Sequence, residues 1–511
     1  MPDDSSHRID RRRLLKSAVA AGTLASVAHG APQESSKRRA IAQENAKQGT
    51  RDWQLTRAWP NRNKYRSALI EGYCSQQSVA AGDKLQIFVS TDPARRFELD
   101  VYRMGFYDGD GACHKAHFGP LQGTVQPLPE IGPAPGRLRQ CRWEPSVELT
   151  IADDWLSGVY LGKLTTVPDS KDEPYWQSYV IFIVRDDRSA DFLFQCSDNT
   201  WQAYNRWPVN ESLYTDPRGA HAPDVAVSFD RPYGMYTQIF EHPLSIGSGE
   251  FLLWEYPLCH WLEQHGYDVT YGSNLDSCDP KFIQRCGAFI SVGHDEYWDQ
   301  RQFRAVESAF QSGTDLIWLC GNSVFIDAPF QASSAGQANR VISRAGCYGE
   351  LRRDELDSYA SLFAGTKSTG PDERRIMGVR SVVPFNGGGD WTCANDQHWL
   401  FTGTGMKTGE SIPGLVGWEH HGEPDADLPG MEVVAAGSVW SGGRRKGQYE
   451  AVVFEGPKDN FAFNASTIFW SQGLSSPPGH ILPWSHYSRP HGPDPRVQQM
   501  TKNVLEATRR K

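Results

Sequence analysis

Apolar and polar positions along this 511-residue chain follow two grammars that meet near residue 187. Between Trp53 and Val184, apolar residues alternate with polar ones over short runs, as in Lys84-Leu-Gln-Ile-Phe-Val-Ser90, Phe97-Glu-Leu-Asp-Val-Tyr-Arg103 and Val147-Glu-Leu-Thr-Ile151. Residues 157–164 and 178–184 continue the series. A period of two puts successive side chains on opposite faces, so each run predicts a strand. Gly105, Gly109 and Gly111 break the chain after the second run. Short strands, frequent turns and no amphipathic helix predict an immunoglobulin-like β-sandwich over 53–186.

Past the charged hinge Arg185-Asp-Asp-Arg188 the period changes. Residues 191–196 predict a strand, and an irregular stretch rich in Pro, Gly and Tyr runs on to Gly249. A helix is expected over 250–265, kinked or starting late because of Pro257. Another strand follows at 267–271. Ala288-Phe-Ile-Ser-Val292 is an apolar run too short for a helix, stopped by Gly293; Phe303, Val306 and Phe310 then recur on one helical face up to Gly313. Residues 315–320 predict a further strand. Strand and helix alternating at this spacing imply βαβ units and a mostly parallel sheet, hence an α/β domain over 187–490. Within it, 447–454 predict a strand and 465–470 an apolar element, while 494–509 predict a surface helix in a tail over 491–511. The expected fold class is α/β plus all-β.

Composition adds an address. Arg11-Arg12, Leu14-Leu15 and Lys16 precede the small apolar run 17–28, the pattern of a twin-arginine export signal over 1–30. A flexible leader over 31–52 follows, and the expected location is periplasmic or secreted. Removing the signal takes away five basic and three acidic side chains, so the formal charge goes from −9 to −11. An acidic chain lacks the footprint of a nucleic-acid binder and has no attraction to anionic lipid. The ten cysteines contain no Cys-x-x-Cys pair; Cys74, Cys113 and Cys141 leave room for one disulfide in the first domain.

Candidate chemistry emerges by exclusion. Gly-x-Ser-x-Gly, a phosphate loop, Gly-x-Gly-x-x-Gly after a strand and His-Glu-x-x-His are all absent. What remains is a set of oxygen donors and one imidazole at strand ends, where open α/β sheets keep their sites. Tyr204 and Asn205 follow one strand, His294, Asp295 and Glu296 another, and Asn322 a third; Tyr233 lies in the loop between. Carboxylate and phenol oxygens suit a hard cation. Cys320, at a strand end, offers a thiol route instead. Trp143, Trp155 and Trp176 offer stacking faces for a non-catalytic carbohydrate-binding role.

Several segments carry a resemblance: Ala203-Tyr-Asn205, Ser228-Phe-Asp-Arg-Pro-Tyr233, Glu255-Tyr-Pro257, Gly266-Tyr-Asp-Val269, Gly293-His-Asp-Glu-Tyr-Trp298, Gly321-Asn-Ser323 and Leu415-Val-Gly-Trp-Glu419. Together they resemble the C-terminal domain of the N,N-dimethylformamidase large (beta) subunit family. Tyr102-Arg-Met-Gly105 and Trp155-Leu-Ser-Gly-Val-Tyr160 extend the likeness into the sandwich. The resemblance implies a Rossmann-like, class I glutamine amidotransferase-like α/β domain. It also implies a mononuclear Fe(III) held by two tyrosines and a glutamate, and hydrolysis of a small amide. Carried over, Glu296 and Tyr204 are metal ligands; Tyr233 is the second tyrosine, with Tyr256 as the alternative. His294 moves protons, oriented by Glu419, and Asn322 holds the carbonyl or the water. The partners implied are a small amide and either a second copy of the chain or a small subunit.

Overall fold

A computed structural model describes residues 34–59, 65–237, 240–350, 366–382, 387–483 and 492–509. The stretch expected to be an export signal, 1–30, lies outside the described residues. Among them no helix is long and apolar enough to cross a membrane.

The alternating runs form two sheets. One has the order Glu71–Cys74, Lys84–Ser90, Val147–Thr150; the other runs Ser78–Val79, Gln177–Val184, Gly158–Thr166, Arg96–Met104, Ala112–Gln122. Their inward residues, among them Leu85, Ile87, Leu99, Val101, Leu149 and Phe182, share one core. The other face of the five-stranded sheet, through Tyr102, Val159, Leu161, Tyr179 and Ile181, belongs to the larger core that includes Trp254, Leu258 and Leu262. This double burial explains why Gln177–Val184 is buried at every position instead of alternating.

A seven-stranded mixed sheet organises the rest. Its order is Val269–Gly272, Phe192–Gln195, Ala288–Gly293, Asp315–Cys320, Phe461–Asn464, Arg444–Glu455, Glu432–Ser441. The first five are parallel and the last two join antiparallel. Ile290 and Ile317 face the core shared with the five-stranded sheet. Phe289, Leu316 and Trp318 face Phe303, Val306 and Phe310 of the helix Gln300–Ser312. That helix begins where Asp299 accepts the Arg301 N–H and ends at Gly313, φ 112°. The expected helix over 250–265 is two, Phe251–Trp254 and Tyr256–Gln264, broken at Glu255 with Pro257 in the first turn of the second.

Two expectations change. The leader contains a helix, Glu34–Asn45, whose Ile41 is buried. All ten cysteines are free, so no disulfide forms. The terminal helix is Pro495–Thr508, and one of its faces, Val497, Met500, Val504 and Leu505, docks on the larger core.

A buried charge network explains why the leader docks. Arg103 donates to both carboxylate oxygens of Glu263 at 2.8 and 2.9 Å and to the Tyr107 hydroxyl at 3.0 Å. Asn45 joins by donating to Glu263 at 2.8 Å, and Glu44 accepts from Tyr107 at 2.9 Å. Gly105 is required here, because a Cβ would lie 2.3 Å from Glu263 Oε2. Stripping one partner leaves a buried charge unpaired. Glu263→Gln is therefore expected to lower stability by roughly 3–5 kcal/mol, read from the denaturant midpoint. An unchanged midpoint would show that the network is not load-carrying in the folded state.

Candidate metal centre

The polar cluster sits where the strand Ala288–Gly293 ends. Gly293 takes φ 69°, and a Cβ there would lie 2.6 Å from Trp254 Cβ, so only glycine lets the strand end meet this helix. The three residues after it then point to different surroundings. Asp295 turns into the protein: Gln195 Nε2 (2.6 Å), Ser291 Oγ (2.8 Å) and Asn274 Nδ2 (3.1 Å) donate to its carboxylate, and burial pushes its pKa up to about 6. His294 and Glu296 turn towards the tyrosines. The backbone between is pinned from both sides, by Thr200 Oγ1 accepting the Glu296 N–H at 3.0 Å and by Glu296 O accepting from Phe325 and Ile326, both 3.0 Å.

Tyr204 is the last residue of the helix Asp198–Tyr204. Its hydroxyl donates to Glu296 Oε2 at 2.7 Å. The second tyrosine at the carboxylate is Tyr214, whose hydroxyl lies 2.8 Å from that of Tyr204 and 3.0 and 3.1 Å from the two oxygens of Glu296. The two rings stack at 4.5 Å. Only these two members of the cluster are half-buried; His294, Glu296 and Glu419 are buried. Burial, followed by the Glu296 charge, holds both phenols well above their ordinary pKa.

Neither tyrosine expected as the second ligand is here. Tyr233 lines a small cavity against the antiparallel sheets with Tyr73, Gln77, Ile181 and Arg340, and meets Trp201 edge-on at 6.3 Å. Tyr256 packs edge-on to Trp53 at 5.6 Å, with its hydroxyl 3.4 Å from Gly111 O. No local signal marks Tyr214: the stretch around it has no periodicity and the chain has 19 tyrosines. Its place is set by tertiary bonds. Leu213 N donates to Ala203 O at 3.0 Å, bringing the segment beside the end of the Tyr204 helix. Buried Arg231 then donates to the Gln202, Asn205, Trp207 and Glu211 carbonyls at 2.8 to 3.1 Å.

His294 is held at both nitrogens. Nδ1 lies 3.1 Å from Glu250 Oε2, while Nε2 lies 3.4 Å from Glu296 Oε2 and 3.2 Å from Glu419 Oε2. Glu250 was not expected; it precedes the helix Phe251–Trp254 and, not Glu419, takes the orienting nitrogen. Burial opposes a charged imidazole, and the carboxylates of Glu419, Glu250 and Glu296 outweigh it, holding the His294 pKa well above its ordinary value. His294, Glu296 and Glu419 offer ligand atoms within 4.8 Å of one another, a group able to hold a metal ion. Three buried carboxylates around one imidazole leave an excess of negative charge that a cation would offset.

Asn322 takes a left-handed backbone, φ 54°, at the next strand end, and among the described residues its buried Oδ1 has no protein partner. His421 steadies that turn: its Nε2 accepts the Ser323 N–H at 3.0 Å and its Nδ1 faces Asn464 Oδ1 at 3.1 Å. The rival sites fare worse. Cys320 is fully buried in its strand, and burial pushes its thiol up to about 12, far from a thiolate at neutral pH. Trp143 and Trp155 are 4% and 9% exposed and present no open face, and Trp176 is half-buried against Trp59.

Asp198 starts the Tyr204 helix. Burial pushes its pKa up to about 8, against the bond it accepts from Asn274 N at 2.8 Å. A folded-state value above the unfolded one, about 4, means that the proton's contribution to stability is complete below that pH. It is then lost as pH rises towards 8. Asp198→Asn is expected to reduce the fall in melting temperature across that window. An identical slope in the variant would rule out Asp198 as its source.

No curated protein matches the chain. A family model does, over residues 98–486, which takes in most of the antiparallel sheets as well as the cluster. Its description is N,N-dimethylformamidase beta subunit-like, C-terminal, and the chain belongs to that family.

Proposed function

We propose that the chain is an exported amidohydrolase that cleaves the C–N bond of a small formamide or related amide, using a mononuclear Fe(III) held by Tyr204, Tyr214 and Glu296. The observation that carries this is the meeting of three oxygen donors, 2.7 to 3.1 Å apart, beside a buried imidazole. Such spacings suit neighbouring ligands of a small, hard ion with bonds of about 2.0–2.2 Å. Phenol and carboxylate oxygens favour the ferric state. In the same reading the two antiparallel sheets are an immunoglobulin-like sandwich and the mixed sheet is a Rossmann-like domain.

Bound there, the ion would supply Lewis-acid polarisation of the amide carbonyl and acidify a water. The chain supplies the rest. With a cation offsetting the carboxylates that hold the imidazole charged, His294 Nε2, on the side of the oxygen cluster, would be free to take a proton from the attacking water as the new C–O bond forms. It returns that proton to the nitrogen as the C–N bond breaks, so the amine leaves neutral. Glu250 holds Nδ1–H, fixing the tautomer and stabilising the imidazolium in between. Glu419 shares the Nε2 side and steadies the same charge. Asn322, whose buried Oδ1 has no protein partner among the described residues, would hold the carbonyl or the water.

The purified protein is expected to contain about one iron per chain, to absorb in the visible through tyrosinate charge transfer, and to hydrolyse N,N-dimethylformamide or another formamide. Colourless, iron-free protein whose amidase activity survives chelation would overturn the proposal. His294→Gln is expected to keep its iron and lose roughly 10²–10⁴-fold in kcat. Loss of iron instead would make His294 a ligand.

A further inference from the structure

We infer that Arg344 is the positioning residue that sets Tyr214 against Glu296, an inference that rests on the metal-centre reading above. Arg344 follows the strand Val341–Ser343, which pairs antiparallel with Ala226–Ser228. Two further backbone bonds, Arg344 N to Val225 O and Asp224 N to Arg344 O, both 2.9 Å, carry that ladder through it. From this fixed base the guanidinium reaches two parts of the cluster. Nη1 donates to Leu213 O and Ala220 O, each at 2.9 Å, and so brackets the segment that carries Tyr214. Nη2 donates to the Tyr297 hydroxyl at 2.8 Å, on the residue next to Glu296. The guanidinium carbon lies 5.1 Å from the centre of the Tyr214 ring and 6.0 Å from that of Tyr297.

Arg344 is 1% exposed, and among the described residues no carboxylate pairs with it. A buried guanidinium without an ion-paired carboxylate depends on the oxygens it reaches, Leu213 O, Ala220 O and the Tyr297 hydroxyl, and on the charge of Glu296 nearby. A lysine could bring the same charge. It could not span two carbonyls and a hydroxyl in one plane while lying over a ring. The side chain therefore acts as a fork that fixes the tyrosine loop relative to the strand-end loop, and with it the spacing of two of the three oxygen donors.

Arg344→Lys keeps the charge without the fork, and Arg344→Met keeps only the stem. Both are expected to retain native circular dichroism and cooperative unfolding. Both should lose roughly 10–100-fold in iron affinity by chelator competition, the range for a partner that orients a ligand. The visible band should move in the fraction that still binds iron, and residues 212–220 should exchange amide hydrogens faster in the metal-free protein. Unchanged affinity and band in folded Arg344→Met would overturn the inference. Full recovery in Arg344→Lys would overturn positioning in favour of charge alone. If Arg344→Met does not fold, Tyr297→Phe decides, since it removes one acceptor and keeps the packing: a smaller loss in the same direction supports the fork, no change overturns it. Iron-free wild-type protein would overturn the metal-centre reading together with this inference, whereas iron-bound wild type beside unaffected variants would overturn this inference alone.

Discussion

Glu296→Gln is expected to leave a folded, colourless protein without amidase activity. The amide has the shape of the carboxylate; with its oxygen in the place of Oε2 it still accepts from the hydroxyls of Tyr204 and Tyr214, and its NH2 donates to Tyr214 Oη, so the cluster need not collapse. What it removes is the one full negative charge among the three oxygens, and a trivalent ion then finds two phenols that must each give up a proton unaided. Lewis-acid stabilisation of a carbonyl is worth several kcal/mol. At about 1.4 kcal/mol per tenfold, its loss lowers the rate by roughly 10³-fold or more. Stability should move the other way in the metal-free state. Glu296 shares the His294 imidazole with Glu419, so neutralising it relieves repulsion between buried carboxylates. Iron should then raise the melting temperature of wild type and not of the variant, because only wild type binds it. A variant that retains iron and turnover would remove Glu296 from the site. The phenols add a pH dependence of the same origin: with both held well above their ordinary pKa, iron binding must displace two protons and should tighten as pH rises.

The parts of this site that could be read from the chain are those governed by local rules. A short apolar run closed by Gly293 announces a buried strand, and whatever polar residues follow must sit at its end; His294 and Glu296 need no tertiary information. The helix Gln300–Ser312 was legible for the same reason, through three aromatic or branched residues on one face and a glycine stop. Tyr204 follows its strand by one short helix. Tyr214 obeys no such rule. Its segment is held by the guanidinium of Arg344, whose bond to Leu213 O spans 131 residues, and by Arg231 from another loop. Glu250 is hidden differently: it begins a run that reads as the apolar face of a helix, and only the fold brings it to His294. The docking of the leader is not legible locally, because one apolar contact, Ile41, and a charged network built from Arg103 and Glu263 hold it, neither of which leaves a period in the sequence. Local chemistry located half of the site, and long-range hydrogen bonds chose the other half.

The choice between tyrosines gives the sharpest test of that second half. Tyr214→Phe keeps the ring stacked on Tyr204 and beneath Arg344, and deletes only the oxygen. Losing a direct ligand should cost more iron affinity than the roughly 10–100-fold attached to an outer hydrogen bond. The iron that remains should show a weaker and displaced visible band, since one of two tyrosinate donors is gone. Tyr233→Phe removes the same atom from a residue that lines a cavity against the antiparallel sheets. It is expected to leave iron content, band and turnover unchanged, and to alter stability by no more than about 1 kcal/mol. Tyr256→Phe should behave like Tyr233→Phe, because its hydroxyl makes only a 3.4 Å contact with Gly111 O. The reverse result, iron lost with Tyr233→Phe and kept with Tyr214→Phe, would mean that the 212–220 segment changes place when the ion binds. In that case the bonds from Arg344 to Leu213 and Ala220 would belong to the empty state, and hydrogen exchange over that segment should slow less on adding iron than at residues 228–234.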